Sequence, residues 1–429
     1  MEKRKNIFSK TGKRLKNIFV RVDDREPYLK LMADKAGFKS FVSSVISILI
    51  GLLCGYLILI ILDSGHSTNA ITNVLVTGFS APDKFAKVLY QAAPLIMTGL
   101  AVGFAFKTGL FNIGASGQYM IGTMLALIGA LVWQLPWWAC LILAVLGGAV
   151  WGSIPGIFKA LLNVNEVITS IMFNWIGLFT VNITIANLPQ MLANYYGASN
   201  ADRTAGLAVA NPSAIIPKLG LDVLLKSQYM NIGIFIAIGV AIIMFIILNK
   251  TTFGYELKAC GLNRNAAKYA GINAKKNIIL AMTISGALAG LGGGLYYLSG
   301  IAEYTIMKTL LAMGFNGIPV ALLGSSNPLG IIFSGLFISY IQIGGEAMQP
   351  EFTVEIINII IAVIIYMSAL SLIIKLVISK LVSRRKLEKY DNTTNNSGEK
   401  PPSGKEIISQ AGDFGGGILP DEVQNGEEE

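Results

Sequence analysis

The chain has 429 residues, 53% of them hydrophobic and only 14% charged, with a formal net charge of +9. Soluble domains carry about a quarter charged residues, so the composition excludes a soluble protein and points to one embedded in a membrane. The positive charge does not indicate a nucleic-acid surface, because Lys and Arg gather at 1–40, 250–276 and 375–389, between or beyond apolar runs.

A bilayer is crossed by about 20 apolar residues. Ten such spans are predicted, near 41–62, 86–106, 111–133, 137–158, 167–188, 230–248, 278–298, 309–324, 329–346 and 355–375. The first lies too far along the chain, and behind too much charge, to be a cleaved signal peptide. Placing all three basic regions in the cytoplasm satisfies the positive-inside rule with ten spans and both termini inside. Three regions result: a basic cytoplasmic arm over 1–40, a transmembrane domain over 41–376, and a polar, mostly disordered cytoplasmic tail over 377–429 that ends in acidic residues. The segment 189–229, containing "ANPSAIIPKLG", becomes the main external excursion.

Along the chain, Cys54, Cys140 and Cys260 show neither metal-ligand nor disulfide spacing and read as packing residues. His66, the only histidine, lies in a polar loop without a partner cluster. Spans two to five begin outside and spans seven to ten begin inside. Each group holds a short or interrupted member with an Asn-Gly pattern, "GLFNIGASGQYMIG" and "LLAMGFNGIPVALLG". The predicted fold is therefore all-α and integral to the membrane: about ten transmembrane helices in two inverted four-helix repeats, with broken helices near the midplane. "NVNEVI" reads as the start of span five, with Asn163 as N-cap and Glu166 as its reciprocal carboxylate. "SGALAGLGGG" lies inside a span with no Lys-Ser/Thr after it, which favours helix packing over a phosphate cradle.

What the spans lack narrows the energy source. Glu166, Lys107, Lys308 and Glu346 sit at span ends, and no ionisable residue lies in a predicted membrane core. Proton-coupled carriers keep such a group within the membrane, so proton coupling is disfavoured; sodium coupling through carbonyls and hydroxyls is less constrained. The chain also has no G-x-x-x-x-G-K-[ST] loop, so any ATP that drives transport binds another polypeptide, and no cofactor or metal is expected here.

Between spans six and seven stands "TTFGYELKACGLNRNAAKYAGINAKKN". Leu257, Cys260, Leu262, Ala266, Ala267, Ala270 and Ile272 form a partial apolar face, while Lys258, Arg264 and Lys268 are solvated. A basic element of this kind suits docking onto a peripheral protein, or lying on anionic lipid. Pattern alone leaves both open.

"FGYELKACGLNRNAAKYAGIN" followed by "SGALAGLGGGLYYLSG" resembles the permeases of bacterial ABC importers for simple sugars, nucleosides and branched-chain amino acids. "KTGLFNIGASGQYMIG", "NVNEVITSIMFNWI" and "GFNGIPVALLGSSNPLGI" are similar to further blocks of its nucleoside and simple-sugar branch, nucleoside permeases most of all, so the resemblance spans roughly 86–375. It implies that Gly261, Asn263, Ala266, Ala267, Gly271 and Ile272 belong to the segment that fits a cleft on an ATPase. It also implies an assembly of two permeases, commonly non-identical, two ATPase domains that bind ATP and Mg, and an extracytoplasmic substrate-binding lipoprotein, with no covalent chemistry on this chain.

Candidate substrate-path residues come from the two Asn-Gly patterns. Asn112 and Ser116, four apart, share a helix face with Tyr119; Gln118 points elsewhere unless glycines break the helix. Asn316 is the second-half counterpart, beside Pro319. Neutral amides and a tyrosine suit hydroxyls and a base edge better than a carboxylate, although amides in membrane spans also bond neighbouring helices. The alternatives to a nucleoside importer are a ribose-like sugar permease and, from another class, a sodium-coupled or uniporting carrier. An embedded enzyme lacks a paired acid or metal cluster.

Overall fold

A computed structural model describes residues 36–199, 202–349 and 351–370. The predicted arm and tail lie outside them, apart from 36–40. The compact body is 46–373; the second unit, 1–45 with 374–429, lies almost wholly outside the described residues.

Ten helices coincide with the ten predicted spans: α1 (Ala36–Leu62), α3 (Pro82–Lys107), α4 (Ala115–Leu127, continued by a π turn over Ile128–Val132), α5 (Trp137–Leu162), α6 (Glu166–Asn187), α7 (Gly233–Lys250), α10 (Ala274–Tyr297), α11 (Ala312–Leu323), α12 (Pro328–Glu346) and α13 (Val354–Ala369). Eight of these spans are long and apolar enough to cross a membrane, and α11 and α13 are the two shorter ones. The protein is a multi-pass membrane protein.

One helix was not anticipated. α2 (Ser67–Ser80) replaces the polar loop expected before span two. At 14 residues and of mixed polarity it is too short to read as a span, and packing holds it: Gly78 lies under the Tyr340 ring, Gly344 sits against Val74, and the Tyr340 hydroxyl donates to the Leu75 carbonyl. His66, just before α2, hydrogen-bonds through Nδ1 with Asp63 Oδ2 at 2.8 Å.

Spans two to five and seven to ten pack reciprocally. α3 lies against α10, α11 and α12, and α10 lies against α3, α4 and α5. The first helix of each group thus packs on the first, second and third helices of the other, the pattern of two exchanged repeats. The closest approach is between α5 and α10, where Gly148 and Gly152 face Gly286 and Gly290, and a Cβ at any of the four would collide with opposing backbone. Lipid tails give no hydrophobic drive between spans, so small residues that bring backbones together supply dispersion contact instead. "SGALAGLGGG" is this packing surface.

The excursion 189–229 is a folded cap of short helical turns. Thr204 donates its amide to the Tyr304 carbonyl at 2.8 Å and its hydroxyl oxygen accepts the Tyr304 amide at 2.9 Å. Arg203 pairs with Glu303 at 3.1 Å. The cap is thereby tied to the non-helical segment 298–311 that leads into α11.

Two helices lie between α7 and α10: α8 (Thr252–Leu262) and α9 (Arg264–Tyr269). They define one end of the bundle, and the cap defines the other.

Candidate functional site

Both Asn-Gly patterns interrupt a span. α3 ends where Gly109 takes φ +72, and residues 110–114 run non-helically toward the bundle interior before α4 starts at Ala115. From the cap end, 298–311 runs inward before α11 starts. α4 then continues toward the cap, where Ala130 accepts from the Asn211 amide at 2.8 Å. α11 continues the other way, where Gly324 packs against Gly330 at the start of α12. The two N-termini meet inside the bundle: a Cβ on Gly314 would collide with Ser116, and the Ser116 hydroxyl donates to the Leu311 carbonyl at 2.9 Å.

Around this meeting point the buried amides form a network. Asn112 donates to Gln118 Oε1 and to the Ser285 hydroxyl, both at 2.7 Å, and its Oδ1 accepts from the Gly114 amide at 3.0 Å and from Gln118 Nε2 at 3.1 Å. The Ser285 hydroxyl in turn donates to the Ala101 carbonyl at 2.6 Å. Asn174 on α6 accepts from the Gly117 amide at 2.8 Å and donates to the Ile113 carbonyl at 3.1 Å. α4, α6, α10 and α3 are thus joined by four polar side chains, Asn112, Gln118, Ser285 and Asn174.

The expected geometry of 112–119 changes accordingly. Asn112 precedes the helix, so it does not share a helix face with Ser116 and Tyr119. The non-helical backbone turns its amide back onto Gln118, the residue expected to point elsewhere. Asn112, Ser116, Gln118 and Tyr119 are all buried. Asn316, on the second turn of α11, is half-buried, and among the described residues its amide has no hydrogen-bond partner. α11 also starts without a side-chain cap at Leu311, which leaves its first amide hydrogens unclaimed by side chains. Thr123 Oγ1, Ser170 Oγ, Asn182 Oδ1 and the Tyr304 hydroxyl are further buried polar atoms without partners, with Ser170 beside Gly114.

Sequence reasoning did not single out Asn174 and Ser285. The signal for Asn174 was present, since an amide in an otherwise apolar span needs partners. Ser285 was not legible, because serine satisfies itself on a helix carbonyl in many spans.

Charged groups keep to helix ends. Lys159 pairs with Glu166 at 2.8 Å on the α8–α9 side, and Lys87 pairs with Glu346 at 2.6 Å on the cap side. The "NVNEVI" reading needs correction. Asn165 is the N-cap of α6, its side chain accepting from the Val167 amide at 2.8 Å, while Asn163 ends α5 in the left-handed region. Glu166 is therefore bound to Lys159 and does not close a reciprocal cap.

In the basic segment, α8 is clamped at both ends. A Cβ on Gly254 would lie 2.7 Å from Leu248 Cα, and one on Gly261 would lie 2.7 Å from the Gly109 nitrogen and the Thr108 carbonyl carbon. Asn263 starts α9, its Oδ1 accepting from the Asn265 and Ala266 amides at 3.0 Å. Ala267 is 4% exposed, whereas Leu262 is 79% and Tyr269 94% exposed. Ala266 is exposed. Gly271, at φ +82, has open space beside it, and with Ile272 it lines a cleft of about 510 Å³ shared with Phe253, Glu256, Asn273 and Lys276. The expected face therefore divides: Leu257 and Ala267 point into the protein, and Leu262, Ala266 and Ala270 point out.

This geometry of reciprocally packed repeats, opposed broken helices and a clamped basic element belongs to residues that match, over 84–376, the family described as branched-chain amino acid transport system / permease component. The chain belongs to this family. Among curated proteins, this permease is 37% identical to the guanosine ABC transporter permease protein NupP of Bacillus subtilis (strain 168), over 79% of this chain and 95% of that protein. It is 36% identical to the nucleoside ABC transporter permease protein NupB of Lactococcus lactis subsp. cremoris (strain MG1363), over 82% and 97%. It is 30% identical to the glucose ABC transporter permease protein TsgB13 of Haloferax volcanii, over 75% and 85%. No solved structure matches it.

Proposed function

We propose that this permease is the membrane-spanning subunit of an ATP-driven importer that carries nucleosides across the cell membrane. The observation that supports this most is its similarity, along almost their whole length, to two nucleoside permeases. The arrangement of the site agrees. Uncapped α11 amide hydrogens, the open Asn316 amide and unpartnered hydroxyls offer neutral donors and acceptors for ribose hydroxyls and a base edge, and among the described residues no buried cation stands ready to hold a carboxylate.

ATP and Mg are bound by a separate ATPase, which docks on the exposed face of α8 and α9, so that face and both termini are cytoplasmic and the cap faces a substrate-binding lipoprotein. A second, non-identical permease covers α6, where Ile168, Met172, Trp175, Phe179 and Ile183 form an exposed stripe. Trp175 lies near the middle of that 22-residue helix, and its indole N–H has no acceptor among the described residues. Lipid tails supply none either, so a protein or an aqueous path faces it. The test is uptake of labelled guanosine, cytidine, ribose and glucose in cells with and without the gene. Loss of nucleoside uptake alone is expected. Loss of sugar uptake with nucleoside uptake intact would move the assignment to the sugar permeases, as the similarity to the glucose permease would then favour.

A further inference from the structure

We propose that Gly109 and Gly261 form the joint through which the α8–α9 element moves the broken helix α4. Both would be positioning residues of the transport cycle, and the inference rests on the importer reading above. The two glycines meet backbone to backbone. A Cβ on Gly109 would lie 2.6 Å from Gly261 Cα and 2.8 Å from the Gly261 carbonyl oxygen, and a Cβ on Gly261 would come equally close to Thr108 and Gly109. Gly109 also needs φ +72, where a side chain is strained. Side chains can rotate away from a neighbour, but backbone at the end of a membrane helix cannot, so displacement of Gly261 displaces Gly109.

What lies on each side gives the contact its role. On one side are Leu262 and α9, where Leu262 and Tyr269 are among the exposed residues at this end of the bundle. On the other, only Leu110 and Phe111 separate Gly109 from Asn112. That stretch is non-helical, and Asn112 carries the hydrogen bonds to Gln118 and Ser285 that fix the start of α4. A push on α9 thus reaches the amide network through Gly261, Gly109 and two residues of chain. Two other connections leave α8. Gly254 packs against Leu248, back onto the helix from which the segment hangs, and Asn277 bonds Glu256 at 3.3 Å on α10, a helix locked backbone to backbone against α5 at Gly286 and Gly290, where independent movement would open a whole helix interface. The family resemblance placed Gly261 among residues that fit an ATPase cleft; the structure assigns it to the inner face of α8.

The test uses the complete transporter in lipid nanodiscs, with binding lipoprotein and labelled guanosine. Gly261→Ala is expected to keep the ATPase co-purifying at the wild-type level while guanosine uptake, and the stimulation of ATP hydrolysis by loaded binding lipoprotein, fall by roughly tenfold or more, as loss of a typical coupling free energy would produce. Normal uptake overturns the inference, as does loss of the ATPase from the purified variant, which would return Gly261 to the docking face. Should Gly261→Ala fail to accumulate, the wild-type complex decides through amide hydrogen exchange with and without a non-hydrolysable ATP analogue. Exchange at 108–114 is expected to change together with that at 252–262, and a change at 252–262 alone overturns the joint. Failure of the importer reading looks different, because the wild-type complex itself would show no guanosine-stimulated ATP hydrolysis.

Discussion

Asn112 and Gln118 exchange two amide hydrogen bonds, at 2.7 and 3.1 Å, across the break that precedes α4. Six residues apart, they could not face each other on a continuous helix, where neighbours are three or four apart. The break therefore creates the pair, and the pair holds the break in shape.

Asn112 and Asn316 are expected to respond differently to replacement by Leu. Asn112→Leu strands Gln118 and the Gly114 amide, while Ser285 keeps its bond to the Ala101 carbonyl, at on the order of 1–3 kcal/mol for each buried group left unpaired. The variant should show a lowered melting temperature and reduced membrane level. Asn316→Leu removes an amide that has no partner to strand, so level and melting temperature should stay normal while nucleoside uptake falls. Normal uptake by Asn316→Leu at normal level would remove Asn316 from the path.

Docking is tested on the residues that face outward. Ala267 lies inside, so Trp there would disrupt the α9 packing whether or not a partner binds. Leu262→Asp and Ala266→Trp are the informative changes, and each should reduce ATPase recovery on co-purification without lowering the permease level. If the segment instead lies on anionic lipid, Trp at 266 should do little, and exchanging Lys258, Arg264 and Lys268 for Gln should do the damage. That second pattern of results would defeat the docking assignment.

Energy coupling has its own test. With ATP held constant in energised vesicles, collapse of the proton gradient should leave uptake unchanged, since no ionisable side chain lies in the core of a described span. Immediate loss of uptake would sink the ATP-driven reading.

The α5–α10 contact predicts a stability effect remote from the path. Gly290→Val would press a branched side chain into the α5 backbone, and overpacking of this kind costs about 1–3 kcal/mol or more. Less folded protein in the membrane is expected, measured by detergent-solubilised melting. Gly239→Val, where open space surrounds the glycine, should melt as the wild type does.

The His66–Asp63 pair predicts a local dependence on pH. The Asp63 carboxylate, hydrogen-bonded to the ring, raises the His66 pKa above its ordinary value, and His66 and the Gly65 amide hold Asp63 below the usual carboxylate range. The histidine's contribution is complete below its unfolded pKa and is lost as pH rises through the raised value. The aspartate's is present above its unfolded pKa and is lost as pH falls through the depressed one. Protection of the amides at 63–67, relative to their intrinsic exchange rates at each pH, should therefore be greatest between the two transitions, and His66→Ala should flatten the upper one.

The ten spans were legible because span length and hydropathy answer to the bilayer, whatever the neighbours are. The placing of charge at the ends of the described spans and the separate basic element were legible for the same reason. Tertiary structure alone decided α2, whose 14 residues carry no span signal and are held by Tyr340 and Gly344 from another helix. It also decided where the helices break. The glycines in "FNIGASG" permit several backbone paths, and Asn174 and Ser285, distant in sequence, select the one that turns Asn112 onto Gln118. The two faces of α8 and α9 were likewise beyond pattern, because Gly261 and Ala267 point inward only where Gly109 and α10 meet them. A membrane imposes its length and polarity on each segment separately, whereas polar partners and backbone contacts exist only between segments, once the chain has brought them together.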